Sequence, residues 1–115
     1  MFERLAGEDF CYLTTVGRRT GKPHTIEIWF ARENGTLYLL SGGGDSADWV
    51  RNLQRTPAVR VRIGSRTVAG RARAVTAPEE DALARRLLDA KYMGWTSGKR
   101  LSSWARGSLP VAIDL

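Results

Sequence analysis

The amino-acid sequence predicts an α+β protein, mainly β, in which mostly antiparallel strands form a small barrel with helices at its side or end. Three observations carry that prediction. Short alternating or apolar runs are punctuated by glycine turns along most of the chain. Asn34-Gly35, the strongest short turn signal, sits between two such runs. Helical spacing of apolar residues is confined to two stretches, around 47–55 and 78–91.

The elements follow in order. Phe10 to Val16 mixes aromatic, β-branched and apolar residues and reads as a first strand. His24 to Arg32 and Thr36 to Leu40 are predicted to pair as a hairpin closed by Glu33-Asn34-Gly35. In its first arm Ile26, Ile28 and Phe30 fall on one face, and Thr25, Glu27, Trp29 and Ala31 on the other. Trp29 is therefore a candidate for a pocket wall or a subunit contact. Ser46 or Asp45 is expected to cap a helix from Ala47 to about Arg55, with Trp49, Val50 and Leu53 as its apolar stripe and Thr56-Pro57 as its stop. Val59 to Ile63 alternates cleanly, Gly64-Ser65-Arg66 turns, and Thr67 to Val75 returns as a second hairpin. Pro78 with the acids behind it opens a helix to about Lys91, its inner side made by Leu83, Leu87 and Leu88. Tyr92 to Ser108 contains Gly and Ser with Trp95 and Trp104, and Leu109 to Leu115 is the last strand.

At 115 residues the chain is expected to be one domain, residues 1–115, with one core. A hydrophobic share of 43% and a charged share of 26% are those of a folded protein. No apolar run is long enough to form a transmembrane segment, and Met1-Phe2-Glu3-Arg4 carries no signal-peptide pattern. A lone cysteine, Cys11, forms no disulfide within the chain, fits a cytoplasmic setting, and reads as buried filler. One cysteine and one histidine also make a Cys/His metal site untenable, so no metal is expected. The net charge of +6 attracts polyanions or a phosphorylated small molecule.

Two loops carry the chemistry. The first, Thr14 to Pro23, places Arg18, Arg19, Thr20, Gly21 and Lys22 in a basic turn between strands. The second, Ser41-Gly42-Gly43-Gly44, follows a strand and opens a helix that holds Trp49 and Asn52. Glycine lets backbone approach a ligand closely, and arginine presents a planar fork of donors that matches phosphate. Together they form a cradle suited to a phosphorylated cofactor. Their plain alternatives are a solvated turn and a flexible connection.

The motifs Thr-Thr-x-Gly-Arg-Arg-Thr-Gly-x-Pro (Thr14 to Pro23), Tyr-Leu-Leu-Ser-Gly-Gly-Gly (Tyr38 to Gly44), Trp-x-x-Asn-Leu (Trp49 to Leu53) and Pro-x-Val-x-Val-x-Ile-Gly (Pro57 to Gly64) resemble the deazaflavin-dependent nitroreductase family. The resemblance runs from about residue 9 to 90. It implies a split β-barrel of about six mostly antiparallel strands with two or three helices, and coenzyme F420 as cofactor. It further implies an F420H2-dependent oxidoreductase that passes a hydride to a small-molecule acceptor: a quinone, a nitro compound or an activated double bond.

Carried onto this chain, Arg18, Arg19, Thr20, Gly21 and Lys22 would meet the phosphate and acidic tail, and Ser41, Gly42, Gly43 and Gly44 the ring system. Trp29 would stand beside the ring, with Trp49 and Asn52 on the helix backing the groove. The family also makes a homodimer the expected assembly. Three departures from it stand out. Gly42 occupies a place where many relatives carry lysine, His24 one that is often more basic, and the tyrosine-rich C-terminal pattern is absent.

Because the hard chemistry would belong to the cofactor, the lack of a catalytic triad does not count against an enzyme. No residue is assigned as catalytic, and the proton would come from Tyr92, Tyr12 or solvent. FMN would suit the same basic loop, and haem would need His24, Cys11 or a tyrosine as axial ligand. Arg60, Arg62, Arg66, Arg71 and Arg73 raise a nucleic-acid reading, but no aromatic residues interleave with them as a stacking platform requires. No nucleic acid is expected as a partner.

Overall fold

The computed structural model describes residues 8–115, so Met1-Phe2-Glu3-Arg4 lies outside the described residues. The alternating runs become β1 (Cys11–Val16), β2 (Pro23–Ile28), β3 (Ala31–Glu33), β4 (Thr36–Ser41), β5 (Ala58–Ile63), β6 (Arg66–Ala74) and β7 (Leu109–Asp114). They form one seven-stranded sheet in the order β2-β1-β5-β6-β7-β4-β3. Every neighbouring pair is antiparallel. The helices are α1 (Asp48–Arg55), α2 (Pro78–Met93) and α3 (Ser103–Gly107), with a 3₁₀ turn at Gly44–Ser46 ahead of α1.

The two edge strands, β2 and β3, are consecutive in the chain and separated by Trp29 and Phe30 alone. Ile28 and Ala31 can then be at most about 11 Å apart, so the sheet must curl until its edges approach. The barrel is closed at that seam by covalent chain rather than by a strand ladder. It is split.

This corrects the hairpin expected between 24–32 and 36–40. The first arm breaks at Trp29-Phe30: β2 pairs with β1, and the short β3 pairs with β4. The break has a local cause. The Phe30 N–H donates to the Tyr92 hydroxyl (3.0 Å), and the Phe30 carbonyl accepts from Lys91 Nζ (3.0 Å) and faces the Tyr92 hydroxyl (2.9 Å). Side chains from α2 thus occupy the peptide groups that a continuous strand would have given to a neighbour. The rest of the turn reading holds, with Asn34 taking a left-handed φ of 54°.

The sheet has two buried faces of unequal extent. On the inside Leu13, Leu37, Leu39, Val61, Ile63 and Ile113 form one core, closed by Val50 and Leu53 of α1. On the outside Ala31, Tyr38, Leu40 and Ala112 meet Ala84 and Leu88 of α2 and Ala105 of α3. β4 and β7, covered on both faces, are therefore near-continuously apolar, whereas β5 alternates with Arg60 and Arg62 in solvent. Gly70 marks the corner where β6 leaves β5 for β7. A Cβ there would stand 2.6 Å from Ile113 Cγ2, so only glycine lets the strands pass this closely.

Two helix-end expectations change. Ala47, not Ser46 or Asp45, is the N-cap of α1, because residues 44–46 are already spent in the 3₁₀ turn. The segment from Tyr92 to Ser108 contains α3. Its N-cap Ser102 accepts from the Ala105 N–H (3.1 Å) and donates its own N–H and hydroxyl to the buried Asp89 carboxylate (2.8 and 2.6 Å).

One ion network ties the curled sheet to α2. Arg73 donates to both Glu80 oxygens (2.7 and 2.6 Å) and to Asp114 (2.7 Å), and the Tyr38 hydroxyl donates to Glu80 (2.6 Å). Hydrogen bonds from Arg73, then from Tyr38, hold the Glu80 carboxyl down to about 2 from 4.5. A depressed folded-state pKa gives stability that is present above the unfolded value and lost as pH falls through the folded one. Stability should therefore drop between about pH 4.5 and 2, and Glu80→Gln should flatten that drop while lowering stability at pH 7. Urea midpoints measured across the acid range check both.

Candidate functional site

The turn between β1 and β2 is held by its own backbone: the Gly17 N–H donates to the Lys22 carbonyl and the Gly21 N–H to the Gly17 carbonyl, each at 2.8 Å. Gly21 has a φ of 74°, which glycine adopts without strain. The turn is bolted to α1 through Asn52. Its Oδ1 accepts from the Arg18 N–H (3.2 Å) and guanidinium (2.9 Å), while its Nδ2 donates to the buried Thr15 hydroxyl (3.2 Å). Arg18 also bonds the Asp48 carboxylate at 3.1 Å.

Between them and β2 lies a groove of about 440 Å³, lined by Arg18, Arg19, Thr20 and His24 and by the apolar surfaces of Ile26 and Trp49. The His24 ring and Thr20 hydroxyl rest on Gly17, where an added Cβ would stand 2.6 Å from His24 Nε2 and 2.9 Å from Thr20 Oγ1. The Arg18 guanidinium is shared between Asp48 and Asn52. Arg19 is exposed and makes no side-chain hydrogen bond or ion pair with another described residue. The groove thus offers an uncompensated cation, a hydroxyl and an imidazole beside an indole. That set suits a phosphate joined to a planar group.

The structure brings together Arg18, Arg19, Thr20, Trp49 and Asn52 of the expected site. Asn52, buried, bolts the turn to α1 from the groove wall. Gly21 turns away into a depression on the other side of the turn, with Pro23 and Arg60. Lys22 is exposed and outside the groove, its N–H on the Thr20 hydroxyl (3.2 Å). Ser41, Gly42, Gly43 and Gly44 do not line the groove either: Ser41 is buried and its hydroxyl donates to the Gly44 carbonyl (2.8 Å), so this loop closes on itself. Trp29 lies outside the groove, stacked on Tyr92 with ring centroids 4.3 Å apart.

His24, Thr25 and Ile26 were not expected in the groove. The register that sets His24 opposite Thr15 and Thr25 opposite Thr14 places them there.

Tyr92 is not a poised proton donor. The Tyr92 hydroxyl accepts from the Phe30 N–H and faces the Asp9 and Phe30 carbonyls at 2.7 and 2.9 Å, and burial pushes it up to about 12. Tyr12 pairs across from Arg62, whose guanidinium sits 4.2 Å from its ring. Cys11 is fully buried and desolvation pushes its thiol up to about 12, which makes it unreactive filler. Among the described residues no cluster of three or more His, Cys, Asp or Glu could hold a metal ion, and no helix is long and apolar enough to cross a membrane.

Removing the Asn52 side chain strands the buried Thr15 hydroxyl and frees Arg18. Asn52→Ala is expected to cost about 1–3 kcal/mol of folding stability, the penalty of an unsatisfied buried polar group, read from urea unfolding.

The sequence model of the F420H(2)-dependent quinone reductase family matches residues 1–115. The F420H(2)-dependent quinone reductase of Mycobacterium tuberculosis strain H37Rv is 34% identical over 73 residues, 60% of this chain and 48% of that protein. The chain thus spans about half the length of the curated relatives it matches. A conserved hypothetical protein of Mycobacterium tuberculosis superposes with a TM-score of 0.78 at 20% identity, over 98% of this chain and 75% of that one. An F420-H2 dependent reductase superposes with a TM-score of 0.69 at 23% identity, over 93% of this chain and 94% of that one. These likenesses agree with the split barrel derived above. The full-length match, on a chain whose basic turn and groove are in place, establishes that it belongs to the F420H(2)-dependent quinone reductase family.

Proposed function

We propose that this chain is an F420H2-dependent oxidoreductase that delivers a hydride to a small organic acceptor of the quinone class. The observation that carries the reading is the groove itself, with un-neutralised Arg19 beside Thr20 and His24 at a turn locked by Asn52, next to the apolar Trp49 and Ile26. The residues fit the group: guanidinium, hydroxyl and imidazole for the phosphate, indole and isoleucine for the ring. When bound, reduced F420 supplies a hydride and a proton, two electrons in all, and the acceptor leaves as its two-electron-reduced form.

The chain's contribution is binding and orientation. Arg19, with the guanidinium donors of Arg18 not taken by Asp48 and Asn52, neutralises the anionic end. Trp49 offers its indole to a planar ring, and the bolted turn fixes the cofactor's place before it arrives. The Tyr92 hydroxyl is engaged with the backbone of Asp9 and Phe30, which leaves Tyr12 or solvent to supply or remove any further proton. The buried Cys11 suits a reducing cytoplasm. Phe10 and Met93, exposed to 38% and 48%, are the apolar side chains we assign to a homodimer contact. Light scattering after size exclusion should give twice the chain mass, and Met93→Glu should halve it.

Titration with oxidised F420, read by quenching of intrinsic tryptophan fluorescence, tests the cofactor. Saturable binding is expected, weakened roughly 10-fold or more by Arg19→Ala, the worth of a charge-assisted hydrogen bond. FMN and haem run in parallel. Saturation by either of them with none by F420 overturns the reading.

A further inference from the structure

The chain carries a single histidine, His24, and the fold sets it in the cationic groove. It is exposed, and its ring makes no side-chain hydrogen bond or ion pair with another described residue. Strand register brings it there, because His24 stands opposite Thr15 just after β2 leaves the basic turn. Gly17 has no side chain to fill the space beneath the ring. His24 Nε2 and Thr20 Oγ1 lie 2.6 and 2.9 Å from the place a Cβ would take, so the two polar atoms come together over that glycine. The Thr20 oxygen accepts from the Lys22 N–H (3.2 Å), which leaves its own proton to donate. An imidazole and a hydroxyl thus stand side by side in a groove that Arg19 also lines.

Few charges face this ring. Arg18 and Arg19 come from the turn and Asp48 from α1, while Thr15 of β1, Thr25 and Ile26 of β2, and Trp49 and Asn52 of α1 are uncharged. Asp48 is already paired with Arg18 at 3.1 Å and its side chain is 88% exposed, so its charge is spent there and screened by solvent. With His24 neutral, the free positive charge of the groove is that of Arg19. With His24 protonated it doubles. Imidazole is the side chain that gains or loses its charge between about pH 5 and 8, and an anion bound against it favours the protonated form. Linkage runs both ways: the protonated form must then favour the anion, so affinity rises as pH falls through the histidine range and is lost above it. A lysine or arginine at this exposed place would keep its charge throughout.

We infer that His24 makes anion binding in this groove proton-linked. Protonated, it joins Arg19 and Thr20 on the phosphate of the cofactor; neutral, it withdraws one charge and the cofactor is held more loosely. The inference rests on the reductase reading for the identity of the anion, but a proton-linked anion site stands apart from it. Cofactor loading then follows the surrounding pH, with tighter binding on the acid side of neutrality and easier release on the alkaline side. The second thiol-or-imidazole group of the chain does not compete for this role, because Cys11 is fully buried and lies outside the groove.

Equilibrium dialysis at fixed ionic strength, in phosphate-free buffer at about pH 5 and about pH 8, reads the affinity for two anions. Radiolabelled sulfate probes the site itself, because it keeps both charges across this range, and F420 is the proposed ligand. Wild type should bind each about three- to tenfold more tightly at the lower pH, the range for one charge-assisted contact at an exposed place. His24→Gln should show the weaker affinity at both pH values and His24→Lys the tighter one, so the dependence disappears in both. Any titration of F420 itself is common to all three proteins and cancels in their comparison. The same pH dependence in wild type and His24→Gln would overturn the inference, and so would wild-type affinity that pH does not change. Where sulfate binds too weakly to measure, the F420 comparison alone decides. F420 binding without a difference between wild type and His24→Gln would remove the inference and leave the reductase reading. Sulfate binding as described with no binding of F420 would sink the reductase reading and leave the proton-linked site standing. Failure of both anions to bind would overturn both.

Discussion

The peptide of Phe30 governs this architecture. In a continuous strand its N–H and carbonyl would bond another strand; here Tyr92 and Lys91 of α2 take both. The Lys91 ammonium also lies 3.6 Å from the centre of the Phe30 ring, and desolvation lowers its pKa. Several consequences follow from this one substitution of partners. The long predicted arm becomes two strands, which go to opposite edges of the sheet. The edges are joined by chain instead of by a ladder, which leaves a gap between β2 and the end of β4. Tyr92, once fixed, fixes Trp29 by stacking.

Burial is divided in a way that frees one part of the barrel for ligands. The half built from β3, β4 and β7 is covered inside by the main core and outside by α2 and α3. It holds little that a solute could reach. The half built from β1, β2, β5 and β6 has one wet face, and α1 closes its interior from the side where the basic turn docks. The groove lies at that junction, between a turn bolted to a helix and an edge strand with no partner on its outer side. An edge strand is a liability in most sheets; placed against a groove it becomes a ligand wall.

The excess positive charge is not spread evenly in effect. Arg73 is neutralised by Glu80 and Asp114, and Arg85 by Asp81 while it also binds the carbonyls of Ala105, Arg106 and Ser108 at the end of α3. Arg62 is occupied by the Tyr12 ring and the Gly64 carbonyl. Arginines counted as one basic face in the sequence are therefore partly structural. Arg19, in the groove and with no described partner, keeps its charge available to a small anion there.

Local pattern alone was enough for most strands, for both longer helices and for the basic turn, because alternation, helical spacing and Gly, Asn and Pro signals are short-range properties. Arg18, Arg19, Thr20 and Trp49, which line the groove, drew notice in the sequence for the same reason: they lie in or next to punctuated loops. What the sequence by itself determined is thus a mainly-β chain with a cationic turn ahead of a helix, and motifs in a family's order. Only the tertiary structure decided that 24–32 breaks in two, that Asn52 bolts the turn to α1, and that Ser41 to Gly44 closes on itself. It also decided that His24 and Ile26 join the groove and that Trp29 lies outside it. Each depends on a partner distant in sequence, as Phe30 does on Tyr92 and Arg18 on Asn52. Periodicity reports which way a side chain points from its own strand, and it holds no information about what will be standing there.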